Sequence, residues 1–221
     1  DGGIWWSADA AIRSTSAGVS WSDNKNSGLA ITQFYRLGGL TTTASRYIGG
    51  AQDNGTSICT NATLNGWQHV CGGDGMECAL DYSDPSYIYA CYFNGQMQQS
   101  TNAGATFASI QPPGTTGAWI TPYLLHPTNP QILFAGYDRV YKSIDRGSTW
   151  AVIPAGGGAL DIGMLRSMTI ASSDPNVLYV AGLATFYQST TASTGAGIWT
   201  NYTASLPSGI PPGALPAITS I

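Results

Sequence analysis

The chain has 221 residues, enough to bury a substantial core, but only 9% of them are charged, against roughly 25% in an average soluble domain. The formal net charge of -4 provides no basic face for phosphate backbones, so nucleic acid is not an expected partner. No apolar run approaches the roughly 18 residues that a membrane helix needs, so no membrane span is expected. The 28 glycines, with many serines, threonines and aromatics, are instead typical of short strands joined by turns.

In chain order, the sequence predicts all-β units of four antiparallel strands, named A to D within each unit. The N-terminal stretch DGGIWWSADAAIRSTSAGVSW predicts strands B, C and D of a unit that has no strand A before it. Complete units are then predicted at about 29–71, 75–112, 117–155 and 163–203. The final PAITSI, at 216–221, predicts a strand A that would complete the unit begun by residues 1–25.

A repeated proline phrase sets the period of these units. SDPSYIYACY, TNPQILFAGY and SDPNVLYVAG each place an Asp/Asn-Pro turn before an apolar run, and Pro85, Pro130 and Pro175 are spaced evenly at 45 residues. A fixed period of this size is typical of a β-propeller or a solenoid, and four strands in about 45 residues favour the propeller. We therefore predict one β-propeller domain over residues 1–221.

A second repeated phrase is the octet SIDRGSTW, 143–150, with weaker copies STNAGATF from Ser100 and STSAGVSW from Ser14. SIDRGSTW resembles the Asp box of sialidase, sortilin and xyloglucanase-type propellers, a turn between strands C and D. The resemblance implies a structural turn whose residues are Ser143, Asp145, Gly147, Thr149 and Trp150. Asp145 is expected to accept hydrogen bonds from its own turn, Gly147 to be left-handed, and Trp150 to pack between units.

Two arrangements are consistent with the chain ends. The habits of the resembling families favour a segment of a larger propeller, whereas the complementary end strands favour closure into a five-bladed ring. The first residues lack the charged-then-apolar order of a signal peptide, which indicates a mature, processed or excised chain.

Two glycine-rich phrases depart from the repeat and carry acids. GGAQDNGT, 49–56, is predicted in a B-C loop, and CGGDGMEC, 71–78, in a link from strand D to the next strand A. Asp53, Asp74 and Glu77 are the candidate catalytic carboxylates, because glycoside hydrolysis requires a pair of them. Turn formation by Asp53-Asn54-Gly55 and Asp74-Gly75 is the favoured alternative, and calcium binding is a weaker one. No cofactor or other metal is expected.

Aromatic and amide side chains near the same loops are candidate ligand contacts, because flat rings beside polar amides suit sugar stacking and protein interfaces. Inter-blade packing is the favoured alternative for most of them. The candidates are Gln52, Tyr92, Phe93, Trp119, Tyr137, Phe186 and Tyr187.

Other chemistries are disfavoured. The six arginines show no F-R-I-P start motif, so the sialidase catalytic set cannot be transferred to this chain. His126 is predicted to be a turn residue on the opposite face, and His69 falls in a strand D, which argues against a Ser-His-Asp hydrolase.

The four cysteines, Cys59, Cys71, Cys78 and Cys91, are spaced unlike zinc ligands and are expected to pair locally as Cys78 with Cys91 and Cys59 with Cys71, with free buried thiols as the alternative. Candidate glycosylation sites are Asn54, Asn61 and Asn201. Both features favour a secreted or cell-surface location.

The leading functional hypothesis is a recognition or structural module that binds a glycan or a protein. The first alternative is a xyloglucanase-like glycoside hydrolase that uses the loop carboxylates. The second is a subunit of an extracellular assembly that self-associates through its end strands.

Overall fold

In the computed structural model, the described residues are 6–9, 19–22, 32–40, 46–60, 66–155, 160 and 163–206. The chain divides into two compact units, residues 1–33 and residues 34–221. In the first unit, Trp6 and Ser22 form an isolated antiparallel bridge. The predicted end strand at 216–221 lies outside the described residues.

The second unit contains four antiparallel sheets, each with four strands in sequence order. Blade 1 comprises β1 (Arg36–Leu40), β2 (Arg46–Ala51), β3 (Gly55–Cys59) and β4 (Trp67–Cys71). Blade 2 comprises β5 (Cys78–Leu80), β6 (Ile88–Tyr92), β7 (Gln96–Ser100) and β8 (Ala108–Ser109). Blade 3 comprises β9 (Tyr123–Leu125), β10 (Leu133–Gly136), β11 (Val140–Ser143) and β12 (Ala151–Val152). Blade 4 comprises β13 (Ser167–Ile170), β14 (Leu178–Ala181), β15 (Phe186–Ser189) and β16 (Trp199–Asn201).

Each of these sheets lies within one of the predicted units. The helical structure among the described residues is limited to two short 3-10 turns, Phe93–Gly95 and Thr203–Ser205. Neither these nor any other described segment forms a helix long and apolar enough to cross a membrane.

The core lies in layers between successive blades. Met76, Tyr89 and Met97 pack against Leu133 and Tyr137 between blades 2 and 3. A similar layer joins blades 3 and 4, and a smaller one joins blades 1 and 2. Strand β6 is therefore buried on both faces, which explains why IYACY is a continuous apolar run without polar alternation.

The octet 143–150 has the turn geometry that its sequence predicts. Asp145 accepts hydrogen bonds from Thr149 N at 2.8 Å and Thr149 Oγ1 at 2.6 Å, and Ser143 Oγ accepts one from Gly147 N at 2.8 Å. Gly147 has φ +92°, and Trp150 Nε1 donates to Ile110 O of the preceding blade at 2.7 Å. The copy at 100–107 repeats the two backbone bonds, from Gly104 N to Ser100 Oγ and from Thr106 N to Asn102 Oδ1. Its side-chain bond is reversed, because Asn102 Nδ2 donates to Thr106 Oγ1.

A related set of hydrogen bonds occurs near the N-terminus, with Asp9 as the acceptor. Ser7 Oγ donates to Asp9 Oδ1 at 2.6 Å, and Ser20 N, next to Trp21, donates to the same oxygen at 3.1 Å. The predicted copy at 14–21 falls mostly outside the described residues, and Ser14 and Ser16 are among those not described.

The expected disulfides are not formed, and all four cysteines are buried. Cys78 pairs with Ala90 across β5 and β6, and Cys91 pairs with Met97 across β6 and β7. In the preceding blade, Cys59 pairs with Trp67 and Cys71 with Thr56. The residue opposite Cys78 is one position away from Cys91, and such a one-residue difference in register places the two side chains on opposite sheet faces. The residue opposite Cys71 is three positions away from Cys59. Burial raises the pKa of the Cys78 thiol to about 12, which keeps it neutral.

Candidate functional site

The loop face is defined by the B-C turns 52–54, 93–95, 137–139 and 182–185 and by the links 72–77 and 110–122. Backbone hydrogen bonds join these loops. Gly75 N donates to Ala51 O at 2.9 Å, and Gly117 N donates to Asn94 O at 2.9 Å. The face therefore presents ordered backbone around the ends of the innermost strands β1, β5, β9 and β13. Such positions on a rigid scaffold are typical of ligand sites.

Asp53 and Asp74 are brought together by a turn contact. Asp74 Oδ1 accepts a hydrogen bond from the Asp53 backbone N at 2.9 Å, and Asp53 has φ +59°. Asn54 N closes the turn on Ala51 O at 3.3 Å. These bonds support the turn interpretation of both acids.

The glycines of the two phrases allow the loops to touch. A Cβ on Gly50 would lie 2.8 Å from Gly75 C and 2.9 Å from Met76 N, which are immobile backbone atoms. Gly50 therefore lets link 72–77 pass directly over the end of blade 1. This close approach is the physical reason why both phrases depart from the repeat.

Glu77 differs from the two aspartates, because it lies at a cavity beside two arginines. Its carboxylate pairs with Arg36 Nε at 3.2 Å, and its side chain is mostly buried. Burial raises the pKa of Glu77 to about 7, and the Arg36 charge opposes that rise. Tyr123 Oη donates to the Glu77 backbone O at 3.1 Å, which fixes the link against β9.

The cavity measures about 370 Å³ and is lined by residues of β1, β9 and β13 and by Glu77, which lies just before β5. Arg36 begins β1, Glu77 immediately precedes β5, and Arg166 immediately precedes β13, so all three charges stand at its loop-face end. Its other walls are residues 122–124 of β9 and the link before it, and residues 167–170 of β13. The charged end we call the channel mouth, defined by Arg36, Glu77 and Arg166.

Phe93 and Trp119 form an exposed aromatic pair on the same face. Their ring centroids are 5.4 Å apart with planes inclined by 15°, and they are 37% and 45% exposed. Asn94 N donates to Trp119 O at 3.3 Å, which joins the B-C turn of blade 2 to the following link. We call this pair the aromatic platform.

The other aromatic candidates are packing residues, as the alternative interpretation held. Tyr137 is fully buried, and its hydroxyl donates to Gly95 O at 2.6 Å. Tyr187 lies in the core between blades 3 and 4, and Phe186 stacks on Tyr179 with centroids 5.9 Å apart. Tyr137 and Tyr187 are corrected from ligand candidates to core residues.

Two further candidates have local partners. Tyr92 Oη accepts a hydrogen bond from Cys71 Sγ at 3.2 Å, and Gln52 Oε1 accepts one from Tyr35 Oη. Gln52 is exposed on the loop face and remains a ligand candidate, whereas Tyr92 is half-buried.

Of the candidate glycosylation sites, Asn54 and Asn201 are exposed, and Asn61 lies outside the described residues. No three His, Cys, Asp or Glu side chains within the described ranges are grouped so as to hold a metal ion. Asp53, Asp74 and Glu77 do not form such a group.

The sequence analysis missed Arg36 and Arg166, and also a pair of contacts on the opposite face. There, Asp81 Oδ1 accepts from Ser83 N at 2.7 Å and its Oδ2 accepts from Arg146 Nε of the next blade at 3.0 Å. His126 repeats the arrangement, with Nδ1 accepting from Thr128 N at 3.2 Å and Nε2 3.0 Å from Ser193 Oγ of the next blade. We call these two contacts the inter-blade clasps; the shared position before each Asp/Asn-Pro turn was the available signal.

Blades arranged in sequence around a cavity lined by their innermost strands define a β-propeller, which confirms the predicted fold class. No known protein-family model matches the chain. No curated protein matches it in sequence.

Solved structures nevertheless resemble it. It is similar to an ancestral GH74 enzyme, with TM-score 0.61 and 17% identity over 77% of this chain and 24% of that one. It is also similar to the GH74 enzyme of Niastella koreensis, with TM-score 0.57 and 22% identity over 76% and 30% of the two chains. The GH74 xyloglucanase of Xanthomonas campestris gives TM-score 0.56 and 16% identity over 92% and 32%. This chain thus spans about a quarter to a third of the length of these enzymes.

Proposed function

We propose that the chain is a glycan-recognition module of a β-propeller and that it binds saccharide on its loop face. The aromatic platform carries this proposal, because Phe93 and Trp119 remain exposed although each buries part of its ring against the other. Burial of an apolar ring is usually favourable in free energy. A pair of rings that is held exposed by backbone bonds therefore indicates a surface that a ligand covers.

The chemistry of the surrounding loops suits a sugar. The C-H faces of a pyranose pack on flat rings, while its hydroxyls need neutral donors and acceptors nearby. Gln52 and Asn54 are exposed on the same face. The likeness to GH74 enzymes, one of them a xyloglucanase, adds support for a β-glucan as the first ligand to test.

The test is calorimetric titration of the purified chain with a xyloglucan heptasaccharide and with cellotetraose. Phe93→Ala and Trp119→Ala are each expected to weaken binding by about tenfold, the scale of one lost stacking contact. Leu183→Ala is the matched control, since Leu183 is an exposed apolar residue in a B-C turn of the same face. Equal affinity in all three variants would reject the platform as a binding site.

Glycoside hydrolysis is a second candidate, and Glu77 is the observation that favours it. A carboxyl group with pKa near 7 beside a cavity is suited to donate a proton to a leaving oxygen. Asp74 is the carboxylate nearest to it in sequence, but one of its oxygens is used by the Asp53 amide.

Reducing-sugar release from xyloglucan and β-glucans tests this candidate. Glu77→Gln is expected to abolish release with retained binding, whereas Asp53→Asn leaves the turn backbone and activity in place. Release by the Glu77→Gln variant at the unmodified rate would exclude Glu77 as the acid.

A secreted or cell-surface location is part of the proposal. It is supported by the exposed sequons at Asn54 and Asn201, whereas the cysteines form no disulfide and give it no support. Mass measurement of material from the native source, with and without glycosidase, checks it.

A further inference from the structure

We propose that the channel mouth binds a carboxylate, so that this chain binds a glycan with an acidic sugar residue more tightly than a neutral one. The saccharide part of this inference rests on the proposed function; the carboxylate part rests on the cavity and its charges. Nothing in the aromatic platform selects for charge, so the two sites are separable.

The charges at the mouth are the first observation. Arg36 and Arg166 both line the cavity, and Glu77 is the acid among its lining residues. Two positive groups and one ionised carboxylate leave one positive charge in excess, although the whole chain carries -4. A cationic cavity in an acidic protein attracts anions to that point and disfavours them elsewhere.

Arg166 is the second observation. It is exposed at the mouth and makes no ion pair with any residue in the described ranges, whereas Arg36, Arg139 and Arg146 each pair with a carboxylate there. Its backbone is fixed, because Arg166 N donates to Ala181 O at 2.8 Å. A guanidinium in this position can offer two parallel N-H donors to an incoming carboxylate.

The third observation is the size and lining of the cavity. About 370 Å³ accommodates a monosaccharide, and Ser167 and Thr169 supply hydroxyls beside the arginines. A phosphate or sulfate would meet the same cations, but the glycan-binding proposal and the two planar guanidinium groups favour the planar carboxylate of a uronic acid.

The state of Glu77 sets the strength of the site. Arg36 on β1 pairs with Glu77, and Tyr123 on β9 contacts its backbone. The Cys78 and Cys91 thiols lie nearby and are neutral because burial raises their pKa values. Arg166, before β13, lines the same cavity. When Glu77 is protonated, Arg36 loses its internal carboxylate partner and both guanidinium groups serve the ligand. Carboxylate binding is therefore expected to strengthen as pH falls from 8 to 6.

The experiment compares trigalacturonate, its methyl ester and cellotriose by calorimetry at low salt. Trigalacturonate is expected to bind at least tenfold more tightly than its ester. Arg166→Gln should remove this preference, and Glu77→Gln should retain it while abolishing its pH dependence. Arg139→Gln is the matched control, because Arg139 lies on the same face, pairs with Asp138, and is outside the cavity.

The outcomes separate the two proposals. Cellotriose binding that depends on Phe93 and Trp119, without any preference for trigalacturonate, overturns the carboxylate inference alone. Binding of none of the three sugars overturns both proposals. A preference for trigalacturonate that survives Arg166→Gln but is lost in Arg139→Gln also overturns it, since the charge would then act outside the channel mouth.

Discussion

Removal of the Arg146 charge from its clasp with Asp81 is expected to lower the free energy of unfolding by several kcal/mol. The Asp81 carboxylate is fully buried, the Arg146 side chain is 20% exposed, and their atoms are 3.0 Å apart. Arg146 Cζ also lies 4.4 Å from the centroid of the Tyr87 ring. Replacing Arg146 with Met leaves a buried carboxylate without its cation, a change that typically costs about 3 to 5 kcal/mol.

The partial exposure of Arg146 places the expected cost of Arg146→Met near the lower bound, and the lost cation-π contact adds about 0.5 to 1 kcal/mol. The total is therefore about 4 kcal/mol. Asp81→Asn removes the charge but keeps the oxygen that accepts from Ser83 N. The coupling energy between the Asp81 and Arg146 substitutions is expected to be about 2 kcal/mol.

Equilibrium urea unfolding of the four proteins of this double-mutant cycle measures the coupling. The control cycle uses Asp138 and Arg139, which are 3.0 Å apart but both 57% exposed, and whose coupling is expected below about 0.5 kcal/mol. Equal coupling energies in the two cycles would refute the argument that burial gives the clasp its strength. An unchanged free energy of unfolding in Arg146→Met would refute the assignment of the clasp itself.

Three further predictions concern stability. Gly50→Ala is expected to destabilise the fold by about 1 to 3 kcal/mol because its Cβ would meet the backbone of link 72–77, whereas Gly72→Ala, with nothing nearer than 3.9 Å, is expected to be nearly neutral in the same urea assay. Burial, and then the Lys142 charge, lower the pKa of His126, so stability is expected to fall as pH drops below about 6.5; an identical pH profile in His126→Gln would contradict this. The pKa of Glu77 is raised from 4.5 to about 7, so its contribution is present below pH 4.5 and is lost as pH rises through 7. The difference in unfolding free energy between the native chain and Glu77→Gln, measured from pH 4 to 8, should show that loss, and a flat difference would contradict it.

The fold was predictable because its signals are local and repeated. The Asp/Asn-Pro turns recur at a constant spacing and the octet recurs as a weaker copy, and each octet forms its own hydrogen bonds within a few residues, as the bonds of Asp145 and Asn102 show. Chance composition rarely produces three such phrases in one register.

The site was less predictable because its members are far apart in sequence. Arg36, Glu77 and Arg166 belong to three blades, and only the closure of the innermost strands around one cavity brings them together. Side-chain direction was a second obstacle, since Phe93 and Tyr137 follow corresponding strands but one is exposed and the other buried. A single residue of register decides such differences, and the period alone does not contain it.

The inter-blade clasps have a consequence for how such a chain can change its number of blades. Asp81 and Arg146 are 65 residues apart, and His126 and Ser193 are 67 apart, so each clasp takes one half from a blade and the other from its successor. Loss of blade 3 would place Asp81 opposite Ser193, and the buried carboxylate would then lack its cation. Duplication of blade 3 would place His126 opposite Arg146, and that cation would then lack its carboxylate. A change in blade number would therefore destabilise the chain unless both positions of a clasp changed together. Because the two clasps use different side chains, they fix the order of blades 2, 3 and 4.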